Sequence, residues 1–131
     1  MQYTYGKEEK LKSKKLIAQL FEKGEVLKNF PLRMVYLKIE HGFKYPVQAG
    51  VSVSKRNFKR AVDRNRIKRL IREAYRLNKY ILYDNLNEPY IMMFIYLGKK
   101  MPDFSLIDDK MKAVLQKFVN NQSNSIESLG E

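Results

Sequence analysis

Arg64, Lys68, Arg72 and Arg76 stand four residues apart in the stretch AVDRNRIKRLIREAYR, residues 61–76. On a helix this spacing stacks them along one face, where like charges repel unless an anion lies across them. Arginine grips phosphate oxygens through paired N–H donors, so the chemistry this row offers is the holding of a polyanion. No comparable set of residues could make or break bonds. His41 is the single histidine and falls in a connection, and cysteine is absent. No His, Asp and Glu cluster has metal-ligand spacing, and no glycine-rich phosphate loop is present. The pair Asp108–Asp109 sits early in an expected helix, where acids suit the helix dipole better than catalysis.

The charge is concentrated. The formal net charge of the 131 residues is +12, and residues 55–79 alone hold 11 basic and 2 acidic side chains. An excess of this kind repels itself and favours a polyanionic partner, either nucleic acid or an acidic membrane surface. A membrane-surface helix would need a free apolar face rich in Trp or Phe, whereas the apolar face here is needed for a core. No apolar run approaches the roughly 20 residues that span a bilayer, and the N-terminus lacks the apolar core of a signal peptide. A cytoplasmic basic protein with no membrane partner is expected.

The length suits one domain, residues 1–120. Residues 1–12 read as a mobile basic arm and residues 121–131 as a disordered polar tail. Between them, SKKLIAQLFEKG reads as a short helix, with Ser13 as N-cap and Gly24 past its end. FPLRMVYLKIE alternates as a strand, with Leu32, Met34 and Tyr36 on one face and Val35, Leu37 and Ile39 on the other. VQAGVSVS alternates likewise, with Val47, Ala49, Val51 and Val53 opposed to Gln48, Gly50, Ser52 and Ser54. The loop KRNFKR leads into a long basic helix reaching about Tyr83. YIMMFIYL is apolar enough to be a central strand. Ser105 with Asp108 resembles a capping box opening a last helix. The expected fold class is α+β: a small α/β sandwich in the order α-β-β-(β)-α-β-α, on a mixed sheet.

On a helical wheel, Val62, Ile67, Leu70, Ile71, Ala74 and Leu77 share one half of residues 61–80. Arg64, Asn65, Lys68, Arg69, Arg72, Arg76 and Lys79 share the other, with Arg66 at the rim. Only Asp63 and Glu73 offset the stripe, and both project toward the apolar half. A second candidate surface is a trough of Ile17, Phe21, Met34, Tyr36, Ser52 and Ser54, with small polar groups beside rings that could take an extended single strand. On pattern alone, inward packing is the better account of Ile17, Phe21 and Tyr36.

The run GVSVSKRNFKRAVDRNRIKRLIREAYR resembles the protein subunit of bacterial ribonuclease P. It matches that family's pattern Ala-Val-x-Arg-Asn-Arg-x-Lys-Arg-x-x-Arg at Ala61, Val62, Arg64, Asn65, Arg66, Lys68, Arg69 and Arg72. Phe21 and Gly24 match the close of the family's first helix, and Ile17 stands where the family often has an aromatic. The likeness covers roughly residues 11–119. It implies a left-handed βαβ crossover, in the manner of domain 2 of ribosomal protein S5, where general rules favour the right-handed form. It implies a partner in the catalytic RNA subunit, precursor tRNA as substrate, and removal of the tRNA 5′ leader. The Mg²⁺ would sit on the RNA subunit and substrate, with no catalytic residue, no protein metal site and no protein partner required. The residues expected to hold RNA are Lys55, Arg56, Arg60, Arg64, Asn65, Arg66, Lys68, Arg69, Arg72 and Arg76. The trough residues are expected to hold the leader. Two alternatives stand beside this: a general RNA-binding or ribosome-associated protein of the same fold, and a DNA-binding regulator with the basic helix in a major groove.

Overall fold

The computed structural model describes residues 5–40, 42 and 45–129, with side chains through Gln122. His41 and the first four residues of the expected arm lie outside the described residues. In chain order the elements are a 3-10 turn (Lys7–Glu9), α1 (Lys14–Lys23), β1 (Glu25–Asn29), β2 (Leu32–Lys38), β3 (Val47–Val53), α2 (Ala61–Asn78), α3 (Tyr80–Tyr83), β4 (Tyr90–Tyr96) and α4 (Phe104–Leu129). β1 is the optional extra strand of the expected order. Its sequence, EVLKN, has too few apolar residues to announce itself, and it forms because it hairpins onto β2.

The strands make one sheet in the order β1-β2-β4-β3. β1–β2 and β2–β4 are antiparallel, and β3–β4 is parallel across the α2–α3 connection. The sheet is therefore mixed, and the fold is α+β as expected. Alternation sends Leu32, Met34 and Tyr36 with Ala49, Val53, Met92 and Phe94 into a large core beneath α2 and α4. Val35, Ile91 and Met93 point the other way, into a smaller core under α1 with Leu20. β4 feeds both cores, which is why its sequence is apolar at nearly every position.

Each helix ends for a local reason. Ser13 Oγ accepts a hydrogen bond from the Leu16 N–H at 3.2 Å, the expected N-cap of α1. Gly24 closes α1 with extended backbone, φ −71°, rather than the left-handed turn its position suggested. Its requirement is space, since a Cβ there would lie 2.3 Å from the Leu20 carbonyl oxygen and 2.9 Å from a Val35 methyl. The long basic helix stops at Asn78 instead of running to Tyr83. Asn78 is buried, and its Nδ2 donates to the Ala74 carbonyl and to Asp108 Oδ1 at 2.8 and 2.7 Å. The cap of α4 lies before the expected box: Asp103, not Ser105, accepts from the Leu106 N–H at 2.9 Å. Burial pushes the Asp108 carboxyl up, but hydrogen bonds from Lys112 and Asn78 outweigh it and hold the group below its ordinary range.

Both chain ends differ from expectation. The described part of the expected mobile arm, residues 5–12, packs on the domain. The Leu11 N–H donates to the Ala49 carbonyl at 2.9 Å, and Lys10 bridges Ala49 in parallel. Glu9 is buried, and its Oε2 accepts from Lys79 Nζ and from the Tyr83 hydroxyl, both at 2.5 Å. In the expected disordered tail, α4 continues to Leu129. No glycine or proline interrupts it before Gly130, and Gln122 Oε1 accepts from the Tyr90 hydroxyl at 3.0 Å.

Removing one partner of a buried ion pair leaves the other charge uncompensated, at a cost of about 3–5 kcal/mol. Glu9→Ala is expected to destabilise the fold on that scale, read as a lower urea midpoint. An unchanged midpoint would mean that the Glu9–Lys79 pair contributes nothing.

Candidate RNA interface

α2 buries Ile67, Ile71, Ala74 and Tyr75 and turns its opposite side to solvent. Asn65, Arg66, Arg69 and Arg72 are exposed there, with Lys68 half-buried on the flank. Among the described residues, Arg66, Lys68, Arg69 and Arg72 form no ion pair and no side-chain hydrogen bond. Four cations on one helix face are thus left without compensation. Lys55, Arg56 and Arg60 extend the exposed positive surface along the preceding loop.

Other members of the expected set have work inside the protein. Arg64 Nη1 donates to the carbonyls of Phe58 and Lys59, both at 2.8 Å, and so ties the basic loop to the first turn of α2. Arg76 is gripped by Glu73 through two hydrogen bonds of 3.1 and 2.5 Å. Glu73 therefore offsets part of the stripe, as expected, and the hydrogen bonds from Arg76 hold its carboxyl below the ordinary range. Asp63 lies 4.0 Å from Arg60. Lys79 does not join the outward stripe, because the bend after Asn78 turns it inward to Glu9. Val62, expected on the apolar side, is 59% exposed in the first turn of α2.

The six trough residues do not share one surface. Met34 and Tyr36 lie on the α2–α4 side of the sheet, inside the large core. The Tyr36 ring meets Phe118 edge to face at 4.8 Å, and its hydroxyl donates to Glu25 Oε2 at 2.7 Å. Burial, with that carboxylate beside it, raises the Tyr36 hydroxyl far above its ordinary pKa. Ile17 packs with the small core on the other side. Ser52 follows Gly50 on that same side by strand alternation. Phe21 is 54% exposed on α1. Ser54 Oγ accepts from the Arg56 N–H at 3.1 Å and serves the loop turn.

What the fold does assemble is a groove of about 220 Å³ along the edge of β3, with Lys10, Lys12, Ile17, Gly50, Arg72 and Met93 in its walls. It joins one trough residue, Ile17, to one stripe residue, Arg72. A Cβ at Gly50 would come within 3.1 Å of the Met93 methyl, so the glycine keeps the floor open. Tyr5 also lines it and donates from its hydroxyl to the Ala49 carbonyl. Burial pushes that hydroxyl up to about 12, with the nearby Arg72 charge pulling the other way. Lys10 and Lys12 were missed as site residues because only a long-range bridge to β3 brings them here. Among the described residues, no group of three His, Cys, Asp or Glu side chains could hold a metal ion.

Fold and surface together define a small basic α+β binding protein, with an uncompensated cationic helix face opening onto a groove. The family model for ribonuclease P matches residues 5–119. The ribonuclease P protein component of Porphyromonas gingivalis is 41% identical over 93% of both chains. That of Chlorobaculum tepidum is 33% identical over 84% of this chain and 77% of its own length. The chain belongs to the ribonuclease P protein family. The solved ribonuclease P proteins of Thermotoga maritima and Staphylococcus aureus share its fold. They superpose with TM-scores of 0.67 and 0.66 at 24% and 23% identity. The match covers 83% and 82% of this chain, and 96% and 93% of theirs.

The two kinds of basic residue are separable. Lys68→Ala, Arg69→Ala and Arg72→Ala should each flatten the dependence of log K on log salt, by about 0.7–0.9 for every RNA phosphate the variant no longer neutralises. Their thermal midpoints should stay near that of the parent. Arg64→Ala should lower the thermal midpoint as well, because the Phe58 and Lys59 carbonyls lose their donor. Salt slopes that do not move in any of the first three variants would contradict the assignment.

Proposed function

We propose that the chain binds the catalytic RNA subunit of ribonuclease P through the exposed face of α2 and its preceding loop, and guides the 5′ leader of precursor tRNA along the groove at the β3 edge. The observation that carries this reading is the continuity of unpaired cations with the groove: Arg72 belongs to both. An extended strand leaving the α2 face would keep its phosphates near Arg72, Lys10 and Lys12. Its bases would lie against Ile17 and Met93.

In this reading the reaction is the endonucleolytic removal of the leader, giving the mature tRNA 5′ end. Mg²⁺ belongs to the RNA subunit and substrate, where it supplies an activated water for attack on the phosphodiester. This chain's residues bind and align. The protein acts in the cytoplasm and needs no second protein subunit. No described helix is long and apolar enough to cross a membrane.

A general RNA-binding role without leader recognition would use the same helix face and leave the groove idle. A DNA-reading role is disfavoured, since α2 lies flat with its inner face buried, unlike a recognition helix entering a major groove.

The groove decides between the two RNA readings. With the RNA subunit present, Ile17→Asp is expected to weaken binding of precursor tRNA while leaving mature tRNA, which has no leader, unaffected. Tyr36→Ala should instead lower stability without favouring either tRNA, because that ring is core. Equal effects of Ile17→Asp on both tRNAs would remove the leader from the groove and favour the general RNA-binding role.

A further inference from the structure

An apolar opening lies away from the β3 edge, where the β1–β2 turn, the β4–α4 link and the first turns of α4 meet. It encloses about 550 Å³. Phe30 and Pro31 form one wall and Leu106 another, with Lys99, Lys100 and Lys110 also lining it and no acidic side chain among the lining residues. Phe30 is 69% exposed, the most exposed large apolar side chain described. An aromatic ring left in water beside an apolar hollow is unusual for a surface that meets only solvent.

The hollow is built rather than loose. The Tyr96 ring lines it and is pinned by its hydroxyl, which donates to the Lys100 carbonyl at 2.6 Å. Gly98 is required by that ring, since a Cβ there would sit 2.3 Å from the Tyr96 hydroxyl oxygen. Asn29 Nδ2 donates to the Lys110 carbonyl at 3.3 Å, joining the β1–β2 turn to α4. Asn57, in the basic loop before α2, donates to the carbonyls of Leu97 and Gly98 at 3.4 Å each. These bonds tie the lining residues Leu97 and Gly98 to the loop that carries Lys55, Arg56 and Arg60.

We infer that this hollow is a second RNA-binding site, which takes one unpaired nucleotide of the ribonuclease P RNA subunit. The base lies against Phe30 over the apolar floor, and the flanking phosphates meet Lys99, Lys100 and Lys110. The volume is in the range of small-molecule pockets and accommodates a nucleobase. Every nucleobase has a flat π-face that an exposed aromatic can stack, and lysine supplies a point charge for phosphate. A protein partner of ordinary charge would bring no compensation for three lysines. The RNA subunit is chosen over precursor tRNA because the hollow is joined to the α2 loop and shares no lining residue with the groove. The inference rests on the proposed binding of that RNA.

The test measures the full chain binding to the RNA subunit alone, without tRNA, across a salt series. Phe30→Ala should weaken binding roughly 5- to 150-fold, the range of base–aromatic stacking, with an unchanged salt slope. Phe30→Trp should retain binding, and Lys99→Ala with Lys100→Ala should flatten the slope. Phe30 is exposed, so thermal midpoints should match the parent. Chemical probing should find a nucleobase protected by the parent chain and reactive with Phe30→Ala. Binding unaltered by Phe30→Ala, while Arg69→Ala still weakens it, overturns this inference and leaves the proposed function standing. Failure of the parent chain to bind the RNA overturns both. A loss seen only when precursor tRNA is added assigns the hollow to the tRNA. A change of oligomeric state with RNA affinity intact assigns it to a second copy of the chain. Either result overturns the inference.

Discussion

Burial of Ile67, Ile71, Ala74 and Tyr75 against the sheet holds a row of like charges in a fixed line on the far side of α2. Each large apolar side chain buried is worth about 1.5–3 kcal/mol. Each like-charge pair at i,i+4 costs only about 0.2–0.5 kcal/mol. Burial therefore wins, and the helix persists with Arg66, Lys68, Arg69 and Arg72 unpaired. The repulsion is relieved only when an anion lies across the face, so the uncompensated stripe is a standing bias toward a polyanion. Release of condensed counterions from RNA adds a salt-dependent gain.

The other elements hold that helix and bring a second cationic wall to it. β3 and β4 are parallel neighbours, so the chain between them must cross over the sheet, and α2 is that crossover. At its far end the Asn78 bend turns Lys79 inward to Glu9. Taking both charges out of water is costly, and the Tyr83 hydroxyl helps by donating to the same carboxylate oxygen. The pair's structural consequence is placement. Anchoring Glu9 fixes the chain just before Lys10 and Lys12, which then face Arg72 across the β3 edge. A buried ion pair at the end of α2 thus anchors the segment that supplies Lys10 and Lys12 to the groove.

Much of this was legible in the residues. Period-two alternation separated Leu32, Met34 and Tyr36 from Val35 and Leu37, and the 3.6 period separated the two sides of α2. The GVSVSKRNFKRAVDRNRIKRLIREAYR stretch carried the family. Alternation says which residues share a face but not which helix covers it, and that is why Met34 and Tyr36 were grouped with Ile17 and Ser52. Tyr36 belongs with Phe118, far along the chain, a pairing that only the packing of α4 reveals. Residues 5–12 are polar and charged and carry no periodicity. Their order comes from Glu9 meeting Lys79 and Leu11 meeting Ala49, interactions between distant parts of the chain. Arg64 and Arg76 read like their neighbours, yet local carbonyls and Glu73 claim them.

In the proposed function this chain serves an RNA that does the cutting. Its most direct measurement is the initial rate of 5′-leader removal by the RNA subunit from the same organism, at a Mg²⁺ concentration too low for that RNA to act alone. Cleavage is expected when chain and RNA are mixed, and none from either by itself. A rate no faster with the chain than without it, or cleavage by the RNA-free chain that survives purification, would contradict it.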